Sequence, residues 1–337
     1  MRAAGGRPRV IRRMRQWFYR WVARSYLRKP GLDDLLRIKY PTTRSVVAGA
    51  LNELHYRLGS ERAGVLTSIN IEVTNTCNLS CVECPVNTTM GRKKGFMDPA
   101  LFRRLIDETP SLDFVLAFQW GEPLLHREFF DMVAHARSRG VRVMVTTNGT
   151  KLSPENRRKL LASGLERVTF SVDGLGDVHT RIRGYPYERL RADIEAFRRE
   201  RDARGLEPGV GAAPAIDVSM VAFDETADEV GAFRRAWDGV ADRVQVIPRF
   251  RDAARTAKCR EPWRGTLVVL WDGRVSVCCR DWEGEMVVGD ANAERLDAIW
   301  NGEKMRSIRR AHVKGAFPAL CAKCGEYEAP GVEKRFS

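Results

Sequence analysis

The stretch that decides the fold and the chemistry begins with Ile69-Asn-Ile-Glu-Val73 and continues into Thr76-Cys-Asn-Leu-Ser-Cys-Val-Glu-Cys-Pro85. The apolar run predicts a buried β-strand, and the three cysteines that follow it have the spacing Cys77-x3-Cys81-x2-Cys84. Thiolates are soft ligands suited to iron-sulfur clusters, and three of them can hold three irons of a cubane while the fourth iron stays open to a small molecule. The spacing therefore predicts a cluster with one reactive corner.

Downstream of this stretch, apolar strand-like runs alternate with helical segments. Asp98-Pro99 and Ser153-Pro154 each place a capping side chain before a proline at the first position of a predicted helix. Six β-α units in series predict an α/β fold, a partial (β/α)6 TIM-like barrel with helices outside and functional groups at the C-terminal ends of the strands. The six predicted strands are Ile69–Val73, Phe114–Phe118, Val141–Val145, Val168–Val172, Ile216–Val221 and Val244–Ile247.

The cysteine triplet and its flanking residues resemble the signature of the radical S-adenosylmethionine (SAM) superfamily. In that family a [4Fe-4S] cluster on the three cysteines binds the amino and carboxylate groups of SAM at its open iron. The resemblance continues after the second strand, where Gly121, Glu122 and Pro123 match a Gly-Gly-Glu-Pro element that receives the SAM amino group. Two positions depart from the pattern: Glu83 stands where an aromatic or apolar residue is usual, and Trp120 replaces the first glycine.

Two further strand ends are similar to SAM-binding elements of this family. Thr147 and Asn148 lie in a Thr-Asn-Gly segment, which the resemblance assigns to the ribose. Ser171 and Asp173 lie in a Ser-x-Asp-Gly element for the carboxylate end of SAM, followed by Arg183. Four elements in the family's order imply an enzyme that cleaves SAM reductively to a 5′-deoxyadenosyl radical, with an external electron donor of the flavodoxin or ferredoxin type.

The remaining cysteines begin beyond the last predicted barrel strand. Four of them resemble the ligand set of the shortened SPASM domain, called a twitch domain, which implies a second, auxiliary [4Fe-4S] cluster; a zinc site on the same thiolates is the alternative. The local pattern predicts a hairpin of Thr266–Trp271 and Arg274–Val277, then a helix over Leu296–Trp300. The predicted ligands are Cys259, Cys278, Cys321 and Cys324, with Cys279 as the alternative to Cys278.

The sequence thus predicts three parts: a basic helical extension over residues 1–65, the radical SAM barrel over 66–250 and a small α+β auxiliary-cluster domain over 251–330. The extension carries 15 Lys and Arg against four acids, so it contributes +11 of the net charge of +14. Within residues 8–28 an amphipathic helix is predicted, which packs on the barrel, lies on an anionic membrane or binds an acidic protein. Its apolar arc comprises Val10, Met14, Trp17, Phe18 and Trp21, flanked by Arg12, Arg13, Arg20 and Arg24.

Composition excludes several classes of protein. With 337 residues and 44% hydrophobic content the chain is an ordinary globular protein, and no apolar stretch reaches the roughly 18 residues of a membrane span. Eight cysteines in CxxxCxxC and CxxC spacings, without an apolar signal core, favour metal ligation over disulfides. We expect a cytoplasmic protein, with peripheral attachment to the inner face of the membrane left open. Nucleic acid is not expected as a partner, because a recognition motif and a stacking platform are lacking.

The auxiliary cluster directs the choice of reaction. Four thiolates saturate it, so we expect it to move electrons, which favours dehydrogenation of an alcohol or amine carbon. The arrangement resembles that of radical SAM aminocyclitol dehydrogenases and implies a sugar- or cyclitol-type substrate. A base or substrate anchor is sought among Arg249, Arg251, Asp252 and Asp281. Three alternatives stay open: an epimerase with Cys279 as hydrogen donor, a maturase with a peptide substrate, and a non-enzymatic thiolate-metal scaffold whose basic arm binds membrane or nucleic acid.

Overall fold

The computed structural model describes residues 43–205, 213–249, 252–264 and 267–325. Within these ranges one nine-stranded sheet has the order β6-β5-β4-β3-β2-β1-β7-β8-β9. The strands are β1 Ser68–Ile71, β2 Phe114–Leu116, β3 Arg142–Thr147, β4 Arg167–Ser171, β5 Ala215–Ala222, β6 Arg243–Pro248, β7 Val268–Val269, β8 Arg274–Ser276 and β9 Val287–Asp290. Strands β1 to β6 pair in parallel, so the predicted six-unit partial barrel is confirmed, and the sheet is open between the β6 and β9 edges.

Helices connect the parallel strands, and both predicted start signals are confirmed. Asp98 Oδ1 accepts a hydrogen bond from the amide of Ala100 at 2.8 Å. Ser153 Oγ accepts one from the amide of Asn156 at 3.3 Å. Among the helices of the described ranges, none combines the length and the apolar character that a membrane span needs. The helices are α1 Thr43–Arg57, α2 Pro85–Thr88, α3 Pro99–Glu108, α4 Phe129–Ser138, α5 Pro154–Ala162, α6 Gly176–Arg183, α7 Tyr187–Asp202, α8 Val230–Trp237, α9 Glu261–Arg264, α10 Leu296–Trp300, α11 Glu303–Val313 and α12 Ala319–Ala322.

The two faces of the sheet differ in chemistry, because alternate residues of a strand face opposite sides. Val143 and Val145 of β3 belong to the apolar core that includes Phe102 of α3. On the opposite face Asp217 is 0% exposed, and its carboxylate accepts a hydrogen bond from Gln245 Nε2 at 2.7 Å and pairs with Arg167. The interior of the open barrel is therefore polar.

The C-terminal region continues the barrel sheet. β7 runs parallel to β1, with Asn70 opposite Val268 and Ile71 opposite Val269. The predicted hairpin is formed by β7 and β8, and the predicted helix is α10. The sequence did not predict β9, a short strand that continues the hairpin. As a result, the region that carries the second cysteine set lies beside the first barrel strand.

The described part of the predicted extension, residues 43–65, packs against this C-terminal region. The indole Nε1 of Trp263 donates to the carbonyl of Ser60 at 2.8 Å. The fully buried Arg309 donates to the carbonyl of Glu61 at 3.1 Å. The domain boundaries at 65 and 250 stay predictions. The predicted amphipathic helix within residues 8–28, the candidate at position 251 and the start of the predicted hairpin at 266 lie outside the described residues.

Candidate metal and cofactor sites

The first cysteine set lies in the loop that follows β1. Cys81 Sγ is 3.8 Å from the carbonyl oxygen of Arg183, and Cys77 Sγ accepts a weak hydrogen bond from Asn148 Nδ2 at 3.7 Å. Burial raises the pKa of Cys81, and it raises the pKa of Cys84 to about 11. Binding of a cation such as iron releases the protons of these thiols, because the thiolate is the form that ligates a metal.

The donor chemistry of this set, three thiols in one loop, suits an iron-sulfur cluster. A cubane binds each thiolate at a different corner. The donor set, three cysteines with a guanidinium beside Cys81, suits a [4Fe-4S] cluster.

Gly121 lets the loop after β2 lie directly against the cysteine loop. Its φ is +109°, and a Cβ there would lie 2.4 Å from the carbonyl oxygen of Thr74, so only glycine fits. The next amide, that of Glu122, donates to the carbonyl of Thr76 at 2.8 Å. The element predicted to receive the SAM amino group is therefore hydrogen-bonded to Thr76, the residue that precedes Cys77.

The Glu122 carboxylate is 1% exposed and ties the β2 loop to the end of β3. Oε1 accepts hydrogen bonds from the Leu124 amide at 2.9 Å and the Thr147 hydroxyl at 2.8 Å. Oε2 accepts one from the Asn148 amide at 2.7 Å. Burial raises the pKa of this carboxyl, while the three donors act against that rise. The side chain thus gathers the predicted amino and ribose elements at one point, with Pro123 starting the helical turn that follows.

The fourth predicted element is organised by an ion pair. Arg183 Nη1 lies 2.9 Å from Asp173 Oδ2; the Asp173 side chain is buried and that of Arg183 is 14% exposed. Asp173 Oδ1 also accepts a hydrogen bond from the Val221 amide at 2.8 Å. Ser171 is the last residue of β4. Since the Arg183 carbonyl also contacts Cys81, this element adjoins the cluster loop.

The second cysteine set is assembled from three separate segments. The thiol of Cys278 interacts electrostatically with those of Cys259 and Cys321, and Cys259 and Cys321 each interact with Cys324. Burial raises the pKa of Cys259 to about 12 and that of Cys321 to about 11. Of the neighbouring pair, Cys278 has a thiol that interacts with those of Cys259 and Cys321 as well as with that of Cys279. Four thiols gathered in this way, with Cys321 buried and the other three partly buried, suit a fully ligated cluster.

Cys279 connects the second cysteine set to the barrel mouth. Its carbonyl accepts hydrogen bonds from Gln119 Nε2 at 2.8 Å and from Trp120 Nε1 at 3.2 Å. The Trp120 ring also meets Trp282 edge-on, with centroids 6.0 Å apart. Trp120, which departs from the family's glycine, therefore joins the loop after β2 to the second cysteine set, and that departure was the sequence signal for it.

Sequence reasoning missed an ion pair beside this bridge. Glu72, just beyond β1, is 0% exposed and pairs with Arg92 through both carboxylate oxygens, at 2.9 and 2.8 Å. Arg92 also donates to the carbonyl of Trp282, and the amide of Gly91 donates to Glu283 Oε1 at 2.7 Å. The first cysteine loop is thus fastened to residues next to the second set. A lone acid within an apolar strand run was the available signal.

The predicted anchors for substrate differ in their surroundings. Arg249 follows β6 and pairs with Glu83 of the cluster loop at 2.8 Å, so it lies at the barrel mouth. Asp281 accepts two backbone amides at 2.8 and 2.9 Å and holds a turn. Asp252 is exposed and pairs with Arg280 beside the second cysteine set. Of these candidates, Arg249 is the one that contacts the first cysteine loop.

Comparison with protein-family models matches both halves of this arrangement. The Radical SAM superfamily model matches residues 71–204, and the model of SPASM, an iron-sulfur cluster-binding domain, matches residues 259–325. The first range holds the cysteine triplet and the three other predicted SAM elements, and the second holds the other four predicted ligands. The cofactors are accordingly a [4Fe-4S] cluster with SAM in the barrel and auxiliary iron-sulfur ligation in the C-terminal region, not zinc.

Several characterised proteins are similar in sequence. An AdoMet-dependent heme synthase of Methanosarcina barkeri is 36% identical over 38% of this chain and 38% of its own length, so the chain spans little more than a third of that relative. An S-adenosyl-L-methionine-dependent 2-deoxy-scyllo-inosamine dehydrogenase of Niallia circulans is 27% identical over 80% of this chain and 97% of its own length. A PqqA peptide cyclase of Xanthomonas campestris is 29% identical over 62% of this chain and 56% of its length.

Solved structures share the fold. BtrN in complex with AdoMet and 2-DOIA has a TM-score of 0.56 at 20% identity, covering 82% of this chain and 99% of that one. Streptococcus suis SuiB has a TM-score of 0.60 at 11% identity, covering 92% and 86%. With both cysteine sets, the strand-end elements and the open parallel barrel in agreement, the chain belongs to the radical SAM superfamily and carries a SPASM-type iron-sulfur domain.

Proposed function

We propose that this protein is a radical SAM oxidoreductase that dehydrogenates a hydroxyl- or amine-bearing carbon of a sugar- or cyclitol-type metabolite. The observation that carries the proposal is the contact between the second cysteine set and the barrel mouth through the Cys279 carbonyl. An electron acceptor at that set is then next to the SAM-binding elements. Similarity to the 2-deoxy-scyllo-inosamine dehydrogenase supports it, because the alignment extends over 97% of that protein.

The chain's own residues have distinct proposed roles in this reaction. One triplet of thiolates holds the SAM-binding cluster, and the other four hold the auxiliary cluster. The side chains and backbone at the ends of β2, β3 and β4 orient SAM. The proposed cluster ligands are Cys77, Cys81, Cys84, Cys259, Cys278, Cys321 and Cys324, and the proposed SAM-binding residues are Gly121, Glu122, Pro123, Thr147, Asn148, Ser171, Asp173 and Arg183.

The chemistry balances as a two-electron oxidation. The bound cofactors supply one-electron cleavage of SAM to methionine and a 5′-deoxyadenosyl radical, which removes one hydrogen atom from carbon. An alcohol or amine carbon that has lost that atom must then lose one electron and one proton to become a carbonyl or imine. The electron requires an acceptor within reach, which the auxiliary site beside Cys279 provides. The proton requires a base or water at the mouth.

The barrel interior supports a polar substrate. Asp217, Gln245 and Arg167 form a buried polar network on the sheet face away from the helices. At the mouth, Arg249 and Glu83 offer charged groups of both signs. A polyhydroxylated ring can exchange hydrogen bonds with the partly exposed side chains of Arg249 and Glu83. We propose Arg249 as the substrate anchor.

Epimerisation is the second candidate, because Cys279 is half-buried at the bridge to the barrel mouth. In that reaction the Cys279 thiol would return a hydrogen atom to the opposite face of the substrate carbon, and no net oxidation would occur. A peptide substrate is the alternative class, in view of the similarity to the PqqA peptide cyclase. We also propose a flavodoxin- or ferredoxin-type donor and a cytoplasmic location, with residues 8–28 as the contact for an acidic protein or an anionic membrane.

The test is anaerobic reconstitution with iron and sulfide, followed by reduction with SAM and a panel of aminocyclitols and sugars in deuterated water. We expect 5′-deoxyadenosine in proportion to an oxidised product, and no 5′-deoxyadenosine from Cys84→Ala. A product that carries solvent deuterium at an inverted carbon, formed by the wild type but not by Cys279→Ala, would show that the reaction is epimerisation and not dehydrogenation. Unchanged SAM cleavage in Cys84→Ala would refute the radical SAM assignment of that loop.

A further inference from the structure

Arg280 lies between the auxiliary cysteines and the protein surface. Its side chain is 7% exposed, and its Nη1 is 3.9 Å from Cys324 Sγ, within hydrogen-bond reach of sulfur. Its Nη2 pairs with the carboxylate of Asp252. The guanidinium is therefore held in one orientation, with one edge toward the thiol and the other toward a surface acid.

A second guanidinium, that of Arg255, acts on the same thiols. Its charge interacts with the thiols of Cys259, Cys324 and Cys321, and its Nε donates to the carbonyl of Cys321 at 3.1 Å. The backbone fixes it there, because the amide of Arg255 donates to the carbonyl of Ala322 at 3.0 Å. Two positive side chains from different segments thus converge on the CxxC pair.

The acids nearby do not cancel this charge. Asp252 is 75% exposed, so solvent screens its carboxylate. Asp281, which accepts the Ser276 hydroxyl and two backbone amides, opposes the arginines at Cys321, but its influence there is smaller than that of Arg255. Glu261, beside Cys259, pairs with Arg264 at 3.1 Å. The net electrostatic surroundings of the CxxC thiols are therefore positive.

We propose that Arg255 and Arg280 set the reduction potential of the auxiliary cluster, holding it higher than four thiolates alone would allow. Reduction adds one negative charge to the cluster, and fixed positive charges and N–H donors at its sulfurs stabilise that charge. This inference rests on the proposed role of the cluster as the acceptor of the substrate electron. In that role, a higher potential favours acceptance and prevents the electron from returning to the substrate carbon.

The test is a redox titration of the anaerobically reconstituted full-length protein, followed by electron paramagnetic resonance. SAM is added so that the shifted signal of the SAM-binding cluster is distinguished from the auxiliary signal. We expect Arg280→Gln to lower the reduced-to-oxidised ratio of the auxiliary cluster at least tenfold at a fixed potential, about 59 mV for one electron. Arg255→Gln should lower it in the same direction, and the double variant should lower it further.

Two controls separate charge from structure. Arg280→Lys keeps the charge and should retain a ratio within threefold of the wild type, with equal iron and sulfide content. Arg295→Gln removes an exposed arginine of the same region, 51% exposed and paired with Asp297, and should leave the ratio unchanged. Should Arg280→Gln fail to hold its cluster, Arg255→Gln decides the question.

An unchanged ratio in the glutamine variants, or an equal fall in Arg295→Gln, would overturn the proposal. The titration contains no substrate, so its outcome is independent of the reaction. If the potential shifts while no oxidised product is ever found, the proposed dehydrogenation fails and the assignment of the two arginines stands.

Discussion

Replacing Gly121 by alanine probes the point where the SAM element crosses the cluster loop. The new Cβ would lie 2.4 Å from the carbonyl oxygen of Thr74 and 2.9 Å from two backbone atoms of Asn75. All three are main-chain atoms, so no side-chain rotation can relieve the contact. The loop that leads into Cys77, or the loop that carries Glu122, has to move.

The expected loss of folding stability in Gly121→Ala has two parts. A non-glycine residue at φ +109° costs about 1–3 kcal/mol, and forcing a methyl group into a packed site costs about another 1–3 kcal/mol. Gly140 is the matched control, because its φ is +77° but a Cβ there meets nothing within 4 Å. We therefore expect Gly121→Ala to lose about 2–6 kcal/mol of stability and Gly140→Ala about 1 kcal/mol.

Anaerobic urea unfolding of both variants, followed by circular dichroism, measures the difference. SAM binding, read from the shift that SAM causes in the resonance signal of the reduced cluster, should be lost in Gly121→Ala and retained in Gly140→Ala. If Gly121→Ala is no less stable than Gly140→Ala and binds SAM with wild-type affinity, then the loop after β2 does not lie as close to the cysteine loop as the structure indicates.

Three further predictions follow from buried contacts. Glu72→Gln leaves Arg92 buried without its charged partner, so urea unfolding should show a loss of about 3–5 kcal/mol; a loss below 1 kcal/mol would contradict the buried pairing. Burial lowers the pKa of His179 to about 4, below its ordinary 6.5, so the unfolded state binds the proton more readily and stability falls as pH decreases through this window. Between pH 7 and pH 5 the wild type should lose about 2 kcal/mol more unfolding free energy than His179→Phe does. Parallel curves of unfolding free energy against pH for the two proteins would refute this. Trp120→Phe removes one donor to the Cys279 carbonyl, so it should cost about 1 kcal/mol of unfolding free energy while SAM cleavage is kept. Trp120→Gly introduces the family residue and should cost more, because the ring contact with Trp282 is also lost. Equal stability of the two variants would argue against the bridge that Trp120 forms to Cys279.

Local chemistry explains how much of the site could be predicted. The triplet Cys77, Cys81 and Cys84 has a spacing that only a few metal sites use, and it follows an apolar run that forms a strand in most contexts. Gly121 and Glu122 were predicted from their resemblance to a short element of the radical SAM superfamily. The contacts of Trp120 and Glu72 could not be predicted in detail, because Trp120 meets the distant Cys279 and Trp282, and Arg92, the partner of Glu72, also binds the distant Trp282.

By itself the sequence determined the alternation of strands and helices, the two cysteine sets and the strand-end positions of the SAM elements, since all of these depend on periodicity and on residue types within a few positions. Only the tertiary structure decided how the two sets are joined. β7 extends the barrel sheet at β1, which brings the Cys279 carbonyl to Gln119 and Trp120 and two arginines to the auxiliary thiols. Such contacts depend on which distant segments the pairing of two short strands brings together, and no local pattern encodes that choice.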